Sequence, residues 1–429
     1  MNETTSETEL KLASISRSRF PTRIAPVVGA LACSTLLLAG CGGGGDDDSD
    51  RYPHADEPIG NVRQVYDGAL TPDLSVNTFR NIDRLFPTRT IKASSSPYPL
   101  PRAATQLTDV KFTAGGRNYD MYDYLSQNRI SALLILKNGQ IVNETYQYGN
   151  TEKTRWMSMS VAKSITTTLA AAAIKDGQLN LADKTTKYVP ALIGSAYEDT
   201  TVRNIMMMAS GVKWNETYTD PTSDRRQLLE AQIAQKPGSA MALMAKLPRI
   251  APPGSVNNYS TGETQVMGEV VIGATKKHLA DYLSEKIWSK FGMEADANWW
   301  LDSPDGNEIG GSGISATLRD YGRFGLFIAN DGVINGQSIL PAGWVDEATT
   351  PKQLTTGNFQ NYGYMWWVST TPQSMADKAF YATGIFGQNI YIDRPQKVVI
   401  VTWGAQSKPS GAAVISNAAF FDAVVNALK

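Results

Sequence analysis

The chain has 429 residues, 42% of them hydrophobic and 19% charged, which is enough apolar sequence to bury a sizeable globular core. The formal net charge of −1 gives no electrostatic case for binding nucleic acid. Two histidines and two cysteines are too few for a zinc site of the usual ligand types, and no loop has the aspartate spacing of a calcium site. We therefore expect no metal and no cofactor, with a metal site made of carboxylates alone as the open alternative.

The first 41 residues resemble the export signal of a bacterial lipoprotein. Basic residues precede an apolar run over residues 27–38, which is short for a membrane span. The run ends in Leu38-Ala39-Gly40-Cys41, which resembles a lipobox, the motif whose cysteine is lipidated and becomes the mature N-terminus. This resemblance implies a signal peptide over residues 1–41 and a lipid anchor at Cys41 that holds the protein on a membrane. A plain secretory signal is the alternative.

Residues 42–59 begin with four glycines and an acidic run, a composition that predicts a flexible tether. The resemblance implies a place in a bacterial cell envelope, and in a Gram-negative bacterium Gly42 rather than aspartate after Cys41 would indicate the outer membrane, facing the periplasm. Cys33 would leave with the signal and Cys41 would be acylated, so no cysteine pair remains for a disulfide. The folded domain is expected over residues 60–429.

Several segments of this domain have clear local signals. Residues 55–120 are rich in proline, serine and threonine and predict an extended arm packed on the main body. Lys137-Asn138-Gly139-Gln140 lies between two apolar runs and predicts a β-hairpin. Helices are predicted over residues 225–248, 263–292 and 411–428, and strands over residues 361–368, 380–384, 389–393 and 398–403.

These elements predict a fold of the α/β (α+β) class. Strands at both ends of the domain, with helices inserted between them, imply one antiparallel sheet flanked by helices. The inserted helices would form an all-helical subdomain within about residues 180–300.

A serine and a lysine one helical turn apart are the first chemical feature. Apolar residues recur at helical spacing from Val161 as far as Gly177, so Ser160 would begin a helix and Lys163 would share its face. The free amides of a helix start favour negative charge developing at the serine. His54 and His278 are poorly placed as bases and the Gly-x-Ser-x-Gly motif is missing, so lysine or tyrosine must move the proton.

A second Ser-x-x-Lys, Ser210-Gly211-Val212-Lys213, falls in a predicted loop where the side-chain geometry is not guaranteed. A third group is also needed, because a base that takes the serine proton must return it to the leaving group. Tyr259, in Tyr259-Ser260-Thr261, is the candidate, and Tyr148 at the end of the hairpin is a rival.

The order of these motifs resembles that of the serine β-lactamases and penicillin-binding proteins. Ser160-x-x-Lys163, Tyr259-x-Thr261 and Thr383-Gly384 correspond to the S-x-x-K, Y-x-N and K-T-G motifs of that superfamily. Residues 362–367 and 382–388 are most similar to its 6-aminohexanoate-dimer (nylon-oligomer) hydrolase branch, with the esterases related to class C β-lactamases. The resemblance extends over about residues 60–429.

The resemblance implies a serine β-lactamase-like fold and acyl transfer through Ser160, with Lys163 and Tyr259 moving the protons. It further implies an oxyanion hole made by the backbone amides of Ser160 and Ile385. The side chains or backbone expected to contact substrate are those of Tyr218, Thr261 and Gly384.

Two departures from the family pattern narrow the function. Ala382 replaces the lysine of K-T-G and Thr261 replaces the asparagine, and both argue against efficient β-lactam turnover. Leu229 and Glu230 fall near the acidic residue with which the nylon-oligomer hydrolase holds its amide substrate, so an amidase is less well supported than an esterase.

We therefore expect an exported serine hydrolase that acts on a small ester, with an amide substrate left open. The alternatives are a membrane-tethered penicillin-binding-like module that binds cell-wall peptides, and a D-alanyl peptidase or β-lactamase of weak activity.

Overall fold

The computed structural model describes residues 51–429, in which strands from near both ends form one central sheet. The strands are β1 (Thr88–Ile91), β2 (Phe112–Ala114), β3 (Arg117–Tyr119), β4 (Ile130–Lys137), β5 (Gln140–Tyr146), β6 (Arg155–Met157), β7 (Ala297–Trp300), β8 (Ile314–Thr317), β9 (Val333–Ile334), β10 (Gln337–Ser338), β11 (Lys352–Gln353), β12 (Phe359–Gln360), β13 (Trp367–Val368), β14 (Phe380–Gly384), β15 (Gln388–Asp393) and β16 (Val398–Gly404). The central sheet has the order β13-β14-β15-β16-β4-β5 with every pair antiparallel. A smaller antiparallel sheet has the order β1-β7-β8-β6.

Helices cover the sheets and fill the middle of the chain. They are α1 (Val62–Asp67), α2 (Pro72–Phe79), α3 (Met121–Gln127), α4 (Val161–Lys175), α5 (Val202–Met206), α6 (Asp224–Ile233), α7 (Ser239–Met244), α8 (Thr261–Thr275), α9 (Leu279–Leu283), α10 (Leu318–Ala329), α11 (Trp344–Ala348), α12 (Pro372–Ala376) and α13 (Asn417–Ala427). A π-helix, Ser284–Gly292, continues α9, and short 3-10 helices lie at Ile82–Arg84, Thr185–Lys187 and Pro190–Leu192. The predicted class, an antiparallel sheet flanked by helices, is confirmed.

The central strand β4 is buried on both faces, as the continuous apolar run over residues 132–136 requires. Leu134 and Leu136 point into the larger core, which also contains residues of α4, α8 and α10. Leu133 and Ile135, on the opposite face, join a second core with Phe420 of α13 and residues of α3. Side chains alternate between faces along a strand, so a strand covered on both sides has no solvent-facing position left for polar residues.

The predicted hairpin is confirmed as β4 and β5. Asn138 (φ 53°) and Gly139 (φ 76°) are both in the left-handed region, as the tight turn between two right-twisted strands requires. The hairpin leads through β6 into α4.

The extended arm predicted over residues 55–120 is wrong in its first part, because the chain forms α1 and α2 there. Asn61 caps α1 with a capping box that includes Gln64, and Pro72 occupies the first turn of α2. Both signals are present in the sequence. They outweigh the polar composition that suggested an irregular segment.

The tether predicted over residues 42–59 does not reach residue 59. His54 is buried, and its ring nitrogens lie 2.9 Å from Thr154 Oγ1 and 3.0 Å from Glu57 Oε1. The Tyr52 hydroxyl donates to Arg80 O at 2.7 Å. Residues 51–59 are therefore packed on the domain, which begins by residue 52, while the predicted signal peptide and the predicted lipidation site Cys41 lie outside the described residues.

The strand predicted over residues 361–368 is mostly wrong, since only Trp367 and Val368 form β13. Hydroxyl groups of α4 bind this segment's carbonyls instead: Ser164 Oγ donates to Met365 O at 2.6 Å and Thr167 Oγ1 to Tyr364 O at 3.0 Å. A Cβ on Gly363 would lie 1.9 Å from Ala348 O, so the backbone there is too close to its neighbour for any other residue. Side-chain hydrogen-bond donors and close packing thus replace the expected ladder.

Between α4 and β7 the chain forms helices α5–α9 and the π-helix, in the region where a helical subdomain was expected. Within residues 51–429, no helix combines the length and the apolar composition that crossing a bilayer demands.

Candidate active site

Ser160 lies at the junction of β6 and α4, where two hydrogen bonds to β8 fix Ser158, two residues before it. Ser158 N donates to Ile314 O at 2.7 Å, and Ile314 N donates to Ser158 Oγ at 3.0 Å. Met159 then adopts a left-handed conformation (φ 41°), which turns the chain sharply into the helix. Ser160 is half-buried and its hydroxyl makes no capping bond, so the Oγ is free for other contacts.

The side chain of Lys163 is buried and reaches three oxygen atoms. Its Nζ lies 3.2 Å from Ser160 Oγ, 2.8 Å from Thr261 Oγ1 and 3.0 Å from Gly311 O. The structure thus brings together two predicted catalytic residues and one predicted substrate-binding residue. The geometry fits a base within reach of a nucleophile.

Burial lowers the pKa of Lys163 from its usual range to about 7. The carboxylate of Glu216 acts in the opposite direction and the guanidinium of Arg225 in the same direction as burial. Desolvation disfavours the charged ammonium, so near neutral pH a substantial fraction of Lys163 is a neutral amine with a free lone pair.

Tyr259 precedes α8 and lies beside Lys163, with the lysine Nζ 5.4 Å from the centre of its ring. Its ring packs against Trp367 at 5.5 Å and Tyr362 at 6.0 Å between centroids. Burial raises the pKa of Tyr259 well above its usual range, Glu216 adds to this, and hydrogen bonding with Ser160 acts against it. At neutral pH the phenol therefore keeps its proton and can serve as a donor.

The end of β14 lies directly against the start of α4. A Cβ on Gly384 would be 2.6 Å from Ser158 O and 3.0 Å from Ser160 N, so only glycine permits this approach. Within residues 51–429, neither Ser160 N nor Ile385 N donates a hydrogen bond to another residue. Two free N–H groups at a strand end and a helix start are what an oxyanion hole requires.

Glu216 is a residue of this site that the sequence did not reveal. Its Oε2 accepts from Thr261 N at 3.0 Å and also from Trp214 Nε1, while its Oε1 accepts from Thr261 Oγ1. The sequence pointed to this loop only through Tyr218, which is half-buried and packs on Tyr66 at 6.5 Å between centroids. No local pattern indicates that Glu216 would meet the start of α8.

The second Ser-x-x-Lys has a different environment. Ser210 is buried and its Oγ donates to Glu263, whereas the side chain of Lys213 is exposed.

The two residues near the expected acidic position are both occupied elsewhere. Leu229 is part of the hydrophobic core, and Glu230 pairs with Arg63 through bonds of 2.8 and 2.6 Å. Within the described residues, no group of three histidine, cysteine or acidic side chains could hold a metal ion.

The family model for beta-lactamases matches residues 123–423 of the chain. The chain belongs to the beta-lactamase family. This is a family of serine hydrolases, and the match confirms the resemblance drawn from the three motifs.

Individual relatives agree with this assignment. A 6-aminohexanoate-dimer hydrolase from Paenarthrobacter ureafaciens is 27% identical over 304 residues, which are 68% of this chain and 76% of the relative. A Bacillus anthracis protein provisionally described as a 6-aminohexanoate-dimer hydrolase superposes with a TM-score of 0.72 at 24% identity, over 82% of this chain and 92% of its own. A Bacteroides dorei protein provisionally described as a beta-lactamase gives a TM-score of 0.56 at 19% identity, over 72% and 95%. The latter two show that the fold is shared.

Proposed function

We propose that this serine hydrolase cleaves small carboxylic esters through an acyl-enzyme on Ser160. The observation that carries the proposal is the contact of 3.2 Å between Ser160 Oγ and the buried amine of Lys163, whose pKa is lowered to about 7. A surface lysine with an ordinary pKa would be protonated at neutral pH and could not accept the serine proton.

The reaction follows from the positions of these groups. Neutral Lys163 accepts the Ser160 proton while Oγ attacks the ester carbonyl, and the amides of Ser160 and Ile385 bind the resulting oxyanion. Tyr259 donates its proton to the departing alcohol and is reprotonated from Lys163. A water molecule then attacks the acyl group, its proton passes to the Lys163–Tyr259 pair, and the carboxylic acid leaves as Ser160 regains its hydrogen.

An ester is favoured over an amide because its alcohol leaves more readily and requires less of the site. The amide alternative draws support from the relative named as a 6-aminohexanoate-dimer hydrolase. However, Leu229 is a core residue, Glu230 is held by Arg63, and Glu216 binds Trp214 and Thr261. Leu229 has no carboxylate, and neither Glu230 nor Glu216 is free to hold an amide substrate.

The second functional class that the sequence leaves open is a membrane-tethered module that only binds cell-wall peptides. It has no need of a buried amine beside a serine, so the environment of Lys163 favours an enzyme.

For the location of the protein we keep the proposal of a lipid anchor at Cys41 and an outer-membrane protein facing the periplasm, supported by Leu38-Ala39-Gly40-Cys41. Of the tether predicted over residues 42–59, residues 51–59 are packed on the domain and residues 42–50 lie outside the described residues.

Covalent labelling of the full chain tests the nucleophile. We expect a fluorophosphonate probe to add one label, located by peptide mass spectrometry on Ser160, in the wild type and in Ser210→Ala. Ser160→Ala should take no label. Labelling at Ser210, or no label together with no turnover of p-nitrophenyl butyrate, would contradict the proposal and favour the binding module.

The pH dependence of ester hydrolysis should report the base. Because the neutral form of Lys163 is required, kcat/KM should fall below a pKa of about 7, tenfold per pH unit on the acid side. This acid limb is measured from initial rates of p-nitrophenyl butyrate hydrolysis at low substrate concentration, over about pH 5 to 9. A rate that stays constant down to pH 5 would exclude Lys163 as the base.

A further inference from the structure

We propose that Glu216 is a positioning residue which, through the hydroxyl of Thr261, directs the lone pair of Lys163 at Ser160. The inference rests on the proposed function, since it concerns how the base of that reaction is oriented. It assigns to Thr261 a task inside the protein in addition to the substrate contact expected from the sequence.

The hydroxyl of Thr261 has one hydrogen, and its direction is determined by Glu216. A carboxylate can only accept hydrogen bonds, so Thr261 Oγ1 must donate its hydrogen to Glu216 Oε1. The contact of 2.8 Å between Lys163 Nζ and Thr261 Oγ1 can then run in one direction only, with the lysine as donor.

Counting hydrogens and lone pairs in the same way fixes the orientation of the Lys163 amine. Neutral Lys163 has two hydrogens and one lone pair. One hydrogen goes to Thr261 Oγ1 and the other to Gly311 O, a carbonyl that can only accept, at 3.0 Å. The remaining contact is Ser160 Oγ at 3.2 Å, so the lone pair points at the proton it has to remove.

Glu216 itself is fixed from the other side. Its Oε2 accepts from Thr261 N at 3.0 Å and from Trp214 Nε1, two donors that cannot reverse. In Glu216→Gln these donors would hold the amide oxygen at the Oε2 position and place the NH₂ group against Thr261 Oγ1. The Thr261 hydrogen would then be free to occupy the lysine lone pair, which is the opposite of what catalysis needs.

The kinetic test uses p-nitrophenyl butyrate and the full chain. We expect Glu216→Gln and Thr261→Val each to lower kcat on the order of 10²-fold with KM changed less than about 3-fold, since a misdirected group costs this much. Thr261→Ser, which keeps the hydroxyl, should recover most of the turnover lost in Thr261→Val. Glu285→Gln, a surface carboxylate paired with Lys277, is the matched control and should behave as wild type.

Two further readouts separate positioning from a structural role. The double variant Glu216→Gln/Thr261→Val should be no slower than Thr261→Val, because both substitutions remove the same link. The negative charge of Glu216 raises the pKa of Lys163, so its removal should move the acid limb of kcat/KM to lower pH even though the maximal rate falls. Loss of packing alone would not produce this shift.

The outcomes distinguish this inference from the proposed function. If Ser160→Ala abolishes turnover but Glu216→Gln and Thr261→Val retain wild-type kcat, or if the double variant shows additive losses, the inference is wrong and the function stands. If Ser160→Ala retains turnover, the function itself fails. If Glu216→Gln does not fold, Thr261→Val against Thr261→Ser decides, because both keep the carboxylate.

Discussion

Ser160→Ala is expected to reduce p-nitrophenyl butyrate turnover by about 10⁴-fold or more, the scale seen when a nucleophile is removed from a covalent mechanism. Without Oγ no acyl-enzyme can form, while the free amides of Ser160 and Ile385 remain and can support only weak hydrolysis by water. The alanine leaves the start of α4 unchanged, because the Ser160 hydroxyl makes no capping bond. Steady-state rates and thermal unfolding, measured on the same preparations, would give low turnover with an unchanged Tm.

Ser210→Ala is the matched control, because it removes the serine of the second Ser-x-x-Lys. It should keep turnover within about 3-fold while lowering the free energy of unfolding by about 1–3 kcal/mol, since Glu263 loses its buried hydrogen-bond partner. If Ser160→Ala and Ser210→Ala lost turnover equally, the effect of Ser160→Ala would come from folding. The nucleophile would then have to be another residue.

Lys163→Met is expected to lower turnover by about 10³-fold, within the range attributed to general base catalysis. Stability should change little. Methionine fills the same unbranched volume, and the cost of burying an amine, which lowers the pKa of Lys163 to about 7, disappears. That gain offsets the unpaired Gly311 carbonyl, so the free energy of unfolding should stay within about 2 kcal/mol of wild type.

The control is Lys213→Met, which removes the exposed lysine of the second Ser-x-x-Lys and should leave both turnover and urea denaturation unchanged. If Lys163→Met keeps more than about a tenth of the wild-type turnover, the loss is too small for removal of a general base. The role of base would then pass to Tyr259 alone.

Features encoded by short-range signals were predictable from the sequence. Asn138-Gly139 determined the hairpin, and the apolar spacing after Ser160 gave α4 with Lys163 on the same face as the serine. The three motifs, in their order, pointed to the family and to Ser160, Tyr259 and Thr261 beside Lys163, but not to Gly311, Glu216 or Arg225.

What the sequence left open depends on contacts between distant segments. Glu216 meets Thr261 only because the loop after Trp214 folds over the start of α8, and nothing near Glu216 in the chain encodes that approach. Likewise, the aromatic pattern of residues 361–368 satisfies the rules for a strand, yet Ser164 and Thr167 of α4 bind its carbonyls and bend it away from the sheet. Local propensity yields to tertiary hydrogen bonding at both places.

The pairing of β4 with β16 also has a consequence for the order of folding. Leu134 lies opposite Val401, so the middle of the sheet closes only after nearly the whole domain has left the ribosome or crossed a membrane. Ser160 follows the early strands, whereas Gly384 ends the late strand β14 and Ile385 comes directly after it. A nascent chain would therefore carry the proposed nucleophile without the proposed oxyanion hole, and hydrolytic activity during refolding should return with the rate constant of sheet closure rather than with that of the helices.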